Sequence, residues 1–260
     1  MAEAGLAEAV AAVVREAGAL AMDRWRTDFR RWDKAPGDPV SEVDLAIDAM
    51  LRARLSALLP DAGWLSEETV DEPARLACAR VWVVDPIDGT RDYIRGRDGW
   101  CVSVALVEDG QPVIGVLDAP ARGEVWMATA GGGATRNGVV LRASSRGALA
   151  GARVPTNALP KADRDFATVA KPNSIALRIA MVAADEVDLV ATLRWGNEWD
   201  IAAAALIASE AHARVSDALG APLAFNKADP HEFGVLVSAP AIHAAAVARL
   251  AKRARAATGG

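Results

Sequence analysis

At 260 residues, 52% hydrophobic and 24% charged, with 21 Gly and 13 Pro, the chain has the composition of a folded globular protein and not of a disordered or fibrous one. That length suits one large α/β domain or two closely packed subdomains. Its 29 Lys plus Arg against 34 Asp plus Glu leave a net charge of −5, so no broad cationic field exists to attract a nucleic-acid backbone or an anionic membrane.

From Ala2 to Trp25, Leu6, Val10, Val13, Val14, Ala17 and Leu20 recur at helical spacing, which predicts an amphipathic packing helix. Glu3, Glu8, Arg15 and Glu16 interrupt that apolar run, and no stretch of 18 uncharged apolar residues follows anywhere, so the expectation is a cytoplasmic, unanchored protein. Pro36, Gly37 and Pro39 break the chain. Ser41 with Asp44 three residues on has the form of an N-cap with a capping acid, opening a helix that Pro60 stops after Leu59.

Past Gly63 the pattern turns β-rich. Arg80–Val84, Cys101–Val107, Pro112–Leu117 and Glu124–Ala128, separated by Gly- and Pro-containing turns, predict an antiparallel meander. Gly131 to Gly133 lacks the Gly-Lys-Ser/Thr ending of a nucleotide-binding loop and is read as a hairpin turn, as is Asn137-Gly138. After Gly151, helices at 174–184, 199–211 and 241–254 alternate with strands at 187–192 and 234–238, giving an α/β or α+β fold whose halves, 1–145 and 146–260, meet near residue 145. Cys78 and Cys101 have no CxxC spacing and read as buried thiols, the eight tryptophans as core fillers, and the basic cluster Lys252, Arg253 and Arg255 as a complement to the last helix's dipole. His212, His231 and His243 share no ligand spacing and read as packed or surface residues.

Chemistry concentrates in Trp82–Thr90, WVVDPIDGT. A β-branched strand ends on Asp85, Pro86 stiffens the turn, Asp88 follows, and Gly89-Thr90 opens a short helix through Ile94. The amides of a helix start suit a phosphate and the two carboxylates repel one, a conflict that a cation between them resolves. Taken alone, Asp85 and Asp88 also fit a helix cap and an Asx-turn. Glu67 and Glu68 end GWLSEE, Asp44 lies in the second helix, and Asp200 follows Trp199 at the start of an apolar helix.

Together PVSEVD (Pro39–Asp44), LSEE (Leu65–Glu68), WVVDPIDGT and EWDIAA (Glu198–Ala203) resemble, in order and separation, the signature segments of the inositol monophosphatase family over roughly residues 5 to 250. The resemblance implies a layered αβαβα sandwich, an N-terminal α+β subdomain (1–145) carrying most metal ligands, and a C-terminal α/β subdomain (146–260) supplying Asp200 and part of the substrate pocket. It implies two or three Mg²⁺ ions: Glu67, Asp85 and the Ile87 carbonyl at one, and Asp85, Asp88 and Asp200 at a second. Water associated with a third, weaker ion near Glu67 would attack, Asp44 and Thr90 would take its proton, and the amides of Gly89 and Thr90 would cradle the phosphate. Elementary electrostatics agrees, because like charges ~4 Å apart repel by roughly 4 kcal/mol at an effective dielectric near 20. An all-oxygen donor set favours Mg²⁺ over zinc.

The reaction so implied is in-line hydrolysis of a phosphate monoester on a small metabolite, inositol monophosphate or 3′-phosphoadenosine 5′-phosphate, with histidinol phosphate as the alternative within the family. A lithium-sensitive homodimer is also implied. Leu193 stands where inositol-type enzymes tend to place a Glu that contacts a sugar hydroxyl, whereas LSEE, Ala119-Pro120 and Asn197-Glu198 look like the bisphosphate-nucleotidase branch, for which Arg178 or Lys171 could bind a second phosphate. Arg91 and Asp92, replacing the usual Thr and Asn, read equally as part of the substrate mouth or as a surface ion pair. Ala204, His212 and Ala213 replace customary glycines without removing a proposed ligand. A haloacid-dehalogenase-type phosphatase is disfavoured because two residues, not one, separate Asp85 and Asp88. A non-catalytic metal-binding regulatory protein remains the rival outside enzymes.

Overall fold

The computed structural model describes residues 3–258. Helix α1 (Glu3–Arg24) leads through a hairpin, β1 (Arg31–Ala35) and β2 (Asp38–Ser41), into α2 (Glu42–Leu58). The capping expectation holds: Ser41 Oγ accepts from the Val43 amide, while Asp44 Oδ2 accepts from the Ser41 amide at 2.9 Å.

Seven strands follow in spatial as well as chain order: β3 (Gly63–Ser66), β4 (Arg80–Asp88), β5 (Cys101–Glu108), β6 (Gln111–Ala119), β7 (Glu124–Thr129), β8 (Gly133–Arg136) and β9 (Val139–Val140), with the short helix α3 (Thr90–Ile94) between β4 and β5. From β4 onward neighbours are antiparallel, as the meander reading predicts, but β3 runs parallel to β4, so the sheet is mixed. Both expected turns are present, with Asn137 and Gly138 at positive φ joining β8 to β9.

Alternation along β4 builds the layers. Trp82 and Val84 point to one face and pack with Val10, Val14, Ile47 and Leu51 of α1 and α2. Val81 and Val83 point to the other and pack with α4 (Ile175–Ala183) and α5 (Ala202–Glu210), reached after the short parallel pair β10 (Arg153–Pro155) and β11 (Ala167–Val169). Beyond α4 lies a three-stranded sheet of β12 (Leu189–Ala191), β16 (Leu236–Ser238) and β14 (Arg214–Ser216), with α6 (His243–Ala257) on its far side through Leu189, Leu236, Ala246 and Leu250. A separate pair, β13 (Trp195–Asn197) and β15 (His231–Phe233), flanks it. The result is the expected αβαβα sandwich. Helix α5, enclosed between sheets, is apolar all round, and its alanines approach so closely that a Cβ on Gly115 would lie 2.7 Å from Ala203 O.

Four local expectations need correction. Trp82, Trp100 and Trp126 are buried, but Trp32 and Trp195 are 44% and 60% exposed, so not every Trp fills the core. Cys101 is buried, whereas Cys78 is only half-buried beside a one-turn helix at Pro73–Ala77. Strand β4 continues past Asp85 to Asp88, because Asp88 still pairs with Cys101. Finally, Asp200 lies in the turn before α5, which begins only at Ala202.

Candidate active site

One irregularity in β4 creates the acidic centre. Asp85 pairs with Ser103 and Asp88 with Cys101, so three steps on one strand match two on its neighbour. Without that extra residue Asp85 and Asp88 would face opposite sides of the sheet; the bulge turns both toward α4 and α5. There Asp200 arrives from the turn before α5, and one oxygen from each of the three carboxylates lies within 4.8 Å of the other two.

Asp85 and Asp200 are each anchored through one oxygen, and Asp88 through both, its Oδ1 accepting the Ile175 amide at 3.3 Å. Asp85 Oδ1 accepts the Ile87 amide at 2.9 Å, the Asx-turn that local sequence suggested. Asp200 Oδ2 accepts the Asn197 amide at 3.1 Å. Asp88 caps a helix, but not the one it precedes: Oδ2 accepts Ser174 Oγ at 2.5 Å and the Ala176 amide at 2.7 Å, at the N-terminus of α4. Ser174 carries no signal in its own neighbourhood beyond that of an ordinary N-cap, which is why the pairing was not legible.

Burial pushes all three acids up, and repulsion adds to it at two: Asp85 stands well above the ordinary carboxylate range with Glu67, Asp88 and Asp200 as charged neighbours, and Asp200 rises to about 8 beside Asp88 and Glu67. Asp88 rises to about 6, burial outweighing the Ser174 and α4 hydrogen bonds. Such a cluster is under-compensated by the chain itself. Buried, all-oxygen and convergent, it fits a hard divalent cation.

The remaining predicted residues except Asp44, which lies buried behind Thr90, line one cavity of about 640 Å³ with Glu67, Asp85, Ile87, Asp88, Gly89, Thr90, Arg178 and Asp200 among its walls. Glu67 reaches this cavity but stands outside the tight trio. Its carboxylate receives Lys34 Nζ at 2.9 Å, and Lys34 also bonds Glu68 at 3.0 Å, so the β1–β2 hairpin supplies a counter-ion that sequence reading missed. Burial first, then Glu67, raises Glu68 to about 7. Thr90 Oγ1 is 2.9 Å from Ile87 O and 3.4 Å from Asp44 Oδ1, and burial raises Asp44 to about 6 against the pull of its Ser41 bonds. Asp44 thus serves the α2 cap through one oxygen and faces Thr90 with the other. Gly89, in the left-handed region at φ 97°, turns β4 into α3 and sets its own amide and that of Thr90 at the helix start.

Basic side chains share the cavity with the acids. Lys171, Arg178 and Arg194 line the same cavity, and none forms an ion pair among the described residues. Arg178 donates only to the carbonyls of Ser174 and Asn173, and burial lowers its basicity against the opposing pull of Asp88 and Asp200; Lys171 is lowered by burial, then by both arginines. Arg91 and Asp92 are not paired with each other: the guanidinium donates to Gly37 O, and the carboxylate accepts the Asn173 amide at 3.1 Å. Leu193 also lines the cavity. Away from the site, His243 lies between Ser216 and Ser238, and Arg253 makes two bonds to Asp163 rather than serving only the helix dipole.

A cavity lined both by repelling carboxylates and by basic side chains outside any ion pair can hold a cation and a small anionic ligand together. Known proteins agree. The sequence profile of the inositol monophosphatase family matches residues 3–256. Fructose-1,6-bisphosphatase/inositol-1-monophosphatase from Thermotoga maritima is 32% identical over 217 residues, covering 80% of this chain and 83% of that protein. The 3′(2′),5′-bisphosphate nucleotidase CysQ of Aggregatibacter actinomycetemcomitans is 32% identical over 213 residues, covering 75% and 77%. Among solved structures, Thermotoga maritima IMPase superimposes with a TM-score of 0.83 at 30% identity, covering 95% of this chain and 97% of that one. The chain belongs to the inositol monophosphatase family, a metal-dependent family of phosphatases that hydrolyse phosphate monoesters.

Proposed function

We propose that this protein is a Mg²⁺-dependent phosphatase whose substrate carries a second anionic group, with 3′-phosphoadenosine 5′-phosphate preferred over inositol monophosphate. The observation that carries this reading is the trio Lys171, Arg178 and Arg194, none in an ion pair among the described residues, lining the same cavity as Asp85, Asp88 and Asp200. A second phosphate would give these three cations the bonded counter-ion that no carboxylate of the cavity supplies. Leu193 offers an inositol ring no hydrogen-bond acceptor from its side chain.

Asp85, Asp88 and Asp200 would hold one Mg²⁺, and Glu67, Asp85 and the Ile87 carbonyl another, once Glu67 exchanges Lys34 for the metal. When bound, Mg²⁺ supplies charge neutralisation and Lewis-acid polarisation of the phosphate. The chain supplies the rest. The amides of Gly89 and Thr90 orient the phosphate oxygens. Water attacks phosphorus in line as the bond to the leaving oxygen breaks, and Thr90 Oγ1 with Asp44 Oδ1 accepts the water's proton; a carboxylate poised at about 6 suits that work near neutral pH. Family membership supports a lithium-inhibited homodimer working in the cytoplasm. No described helix is long and apolar enough to cross a membrane.

Phosphate release with Mg²⁺ from 3′-phosphoadenosine 5′-phosphate, adenosine 3′-monophosphate, inositol 1-phosphate and histidinol phosphate tests the reading. The bisphosphate should show the highest kcat/KM, and Arg178→Ala should erase its advantage over the monophosphate. Equal rates on both adenosine substrates would refute the second-anion reading, and no Mg²⁺-dependent release from any would refute the phosphatase.

A further inference from the structure

Glu198, two residues before Asp200, is completely buried, yet it faces away from the acidic trio. Its side chain spends both oxygens on a distant loop, Oε2 accepting the Asn226 amide at 2.5 Å and Oε1 the Lys227 amide at 3.0 Å. Its backbone is laced to the same segment and to the next helix: the Glu198 amide donates to Pro230 O at 2.9 Å, and Glu198 O accepts the Ile201 and Ala202 amides at 3.1 and 2.9 Å. The turn that presents Asp200 therefore rests on residues 226–230.

That loop is clamped from a second direction. Arg75, also buried, donates to Asn226 Oδ1 at 2.6 Å and to Lys227 O at 2.8 Å, while Asp71 holds the other edge of its guanidinium at 2.6 and 2.9 Å. Asn226 is in the left-handed region, φ 58°, pinned through its amide by Glu198 and through its side chain by Arg75. The Phe225 amide, donating to Gly110 O at 3.0 Å, ties the loop to the β5–β6 turn. A buried Glu whose two oxygens both bind this loop, and a buried Arg that joins the loop to Asp71, make a rigid support and not an accidental contact.

We propose that Glu198 is a positioning residue for Asp200: through the loop at 226–227, which Arg75 clamps, it fixes the turn so that the Asp200 carboxylate faces Asp85 and Asp88. This rests on the reading of those three acids as a cation site. Groups that orient metal ligands are worth about 10–100-fold in affinity or activity. Glu198→Gln keeps the size, retains one acceptor and sets an NH₂ against a backbone amide, so the turn loosens without a cavity.

The test is Mg²⁺ titration by calorimetry on the full chain, with unfolding midpoints measured without metal. Glu198→Gln should weaken Mg²⁺ binding about tenfold, and Arg75→Lys should weaken it in the same direction by less. In an Asp200→Asn background, Glu198→Gln should cause no further loss, since the ligand it positions is already gone. Glu198→Gln that lowers only the midpoint, or effects that multiply in the double variant, would overturn the proposal. If Glu198→Gln does not fold, Arg75→Lys and Asn226→Gly decide it, and unchanged Mg²⁺ affinity in both overturns it. Wild-type protein that binds no Mg²⁺ would instead overturn the cation-site reading beneath.

Discussion

Ser174 Oγ donates to Asp88 Oδ2 at 2.5 Å, joining the end of β4 to the cap of α4 across 86 residues. The same hydroxyl oxygen accepts the Leu177 amide at 2.9 Å, so one side chain begins a helix and orients an acid of the cleft. Ser174→Ala should cost about 2 kcal/mol, roughly 1 from the lost cap and a comparable amount from a buried carboxylate oxygen deprived of a donor. Urea denaturation measures this, with Ser174→Thr as the control that restores most of the loss. An alanine variant as stable as wild type would mean that the α4 amides alone satisfy Asp88.

Asp118, buried on β6, supplies a pH dependence remote from the acidic trio. Burial, only partly countered by Arg15, raises its carboxyl from 3.8 to about 7. A folded value above the unfolded one means that the native state binds the proton more tightly. The associated stability is complete below about pH 4 and is lost as pH rises through about 7. Asp118→Asn, always neutral, should match wild type near pH 4 and exceed it at pH 8, by a difference that grows across that window. Guanidinium unfolding of the two proteins at matched pH reads it; parallel curves would show that Asp118 stays ionised in the fold.

What could be read in the residues alone was local. The Ser41 and Asp44 cap, the β-branched run into Asp85 and the turn at Gly89 are decided within a few residues, so propensity and spacing expose them. The layered sandwich and the meeting of Asp85, Asp88 and Asp200 were available only through family resemblance, because nothing in the spacing of 112 residues between Asp88 and Asp200 dictates contact. Lys34 on Glu67, Ser174 on Asp88 and Arg75 on Asn226 stayed hidden for the same reason: each is an ordinary polar residue whose partner the fold alone chooses. The continuation of β4 to Asp88 was masked by Pro86, which ordinarily ends a strand but is accommodated within the bulge.

Gly89 meets two demands at once. Its φ of 97° disfavours any side chain, and a Cβ there would lie 2.7 Å from Gly99 O, 3.0 Å from the Ser174 amide and 3.1 Å from Trp100 Cα, all backbone atoms that cannot step aside individually. Gly37, at φ 79° on the β1–β2 turn, has nothing within 4 Å of such a Cβ. Gly89→Ala should therefore destabilise by about 1–3 kcal/mol beyond the cost of Gly37→Ala and also depress kcat, because relieving the clash moves the Thr90 amide. Equal costs at the two positions would leave φ strain as the whole effect.

Thr90 and Asp88 should separate turnover from metal affinity. Thr90 Oγ1 reaches Ile87 O and Asp44 Oδ1 but does not belong to the trio of convergent carboxylates, so Thr90→Ala removes the proposed proton acceptor while leaving the acids in place. If Thr90 takes the water's proton as proposed, kcat should fall by about 10²–10⁴-fold with Mg²⁺ affinity close to wild type, and Thr90→Ser should recover most of the rate. Asp88→Asn takes a formal charge from the trio and sets an amide NH₂ among donors from Ser174 and Ala176, so Mg²⁺ affinity should fall first and rate should return in part at high Mg²⁺. Calorimetric titration beside steady-state rates distinguishes the two variants. If Thr90→Ala lost Mg²⁺ binding as severely as Asp88→Asn, Thr90 would be holding the Ile87 carbonyl in place for the metal and not handling the proton.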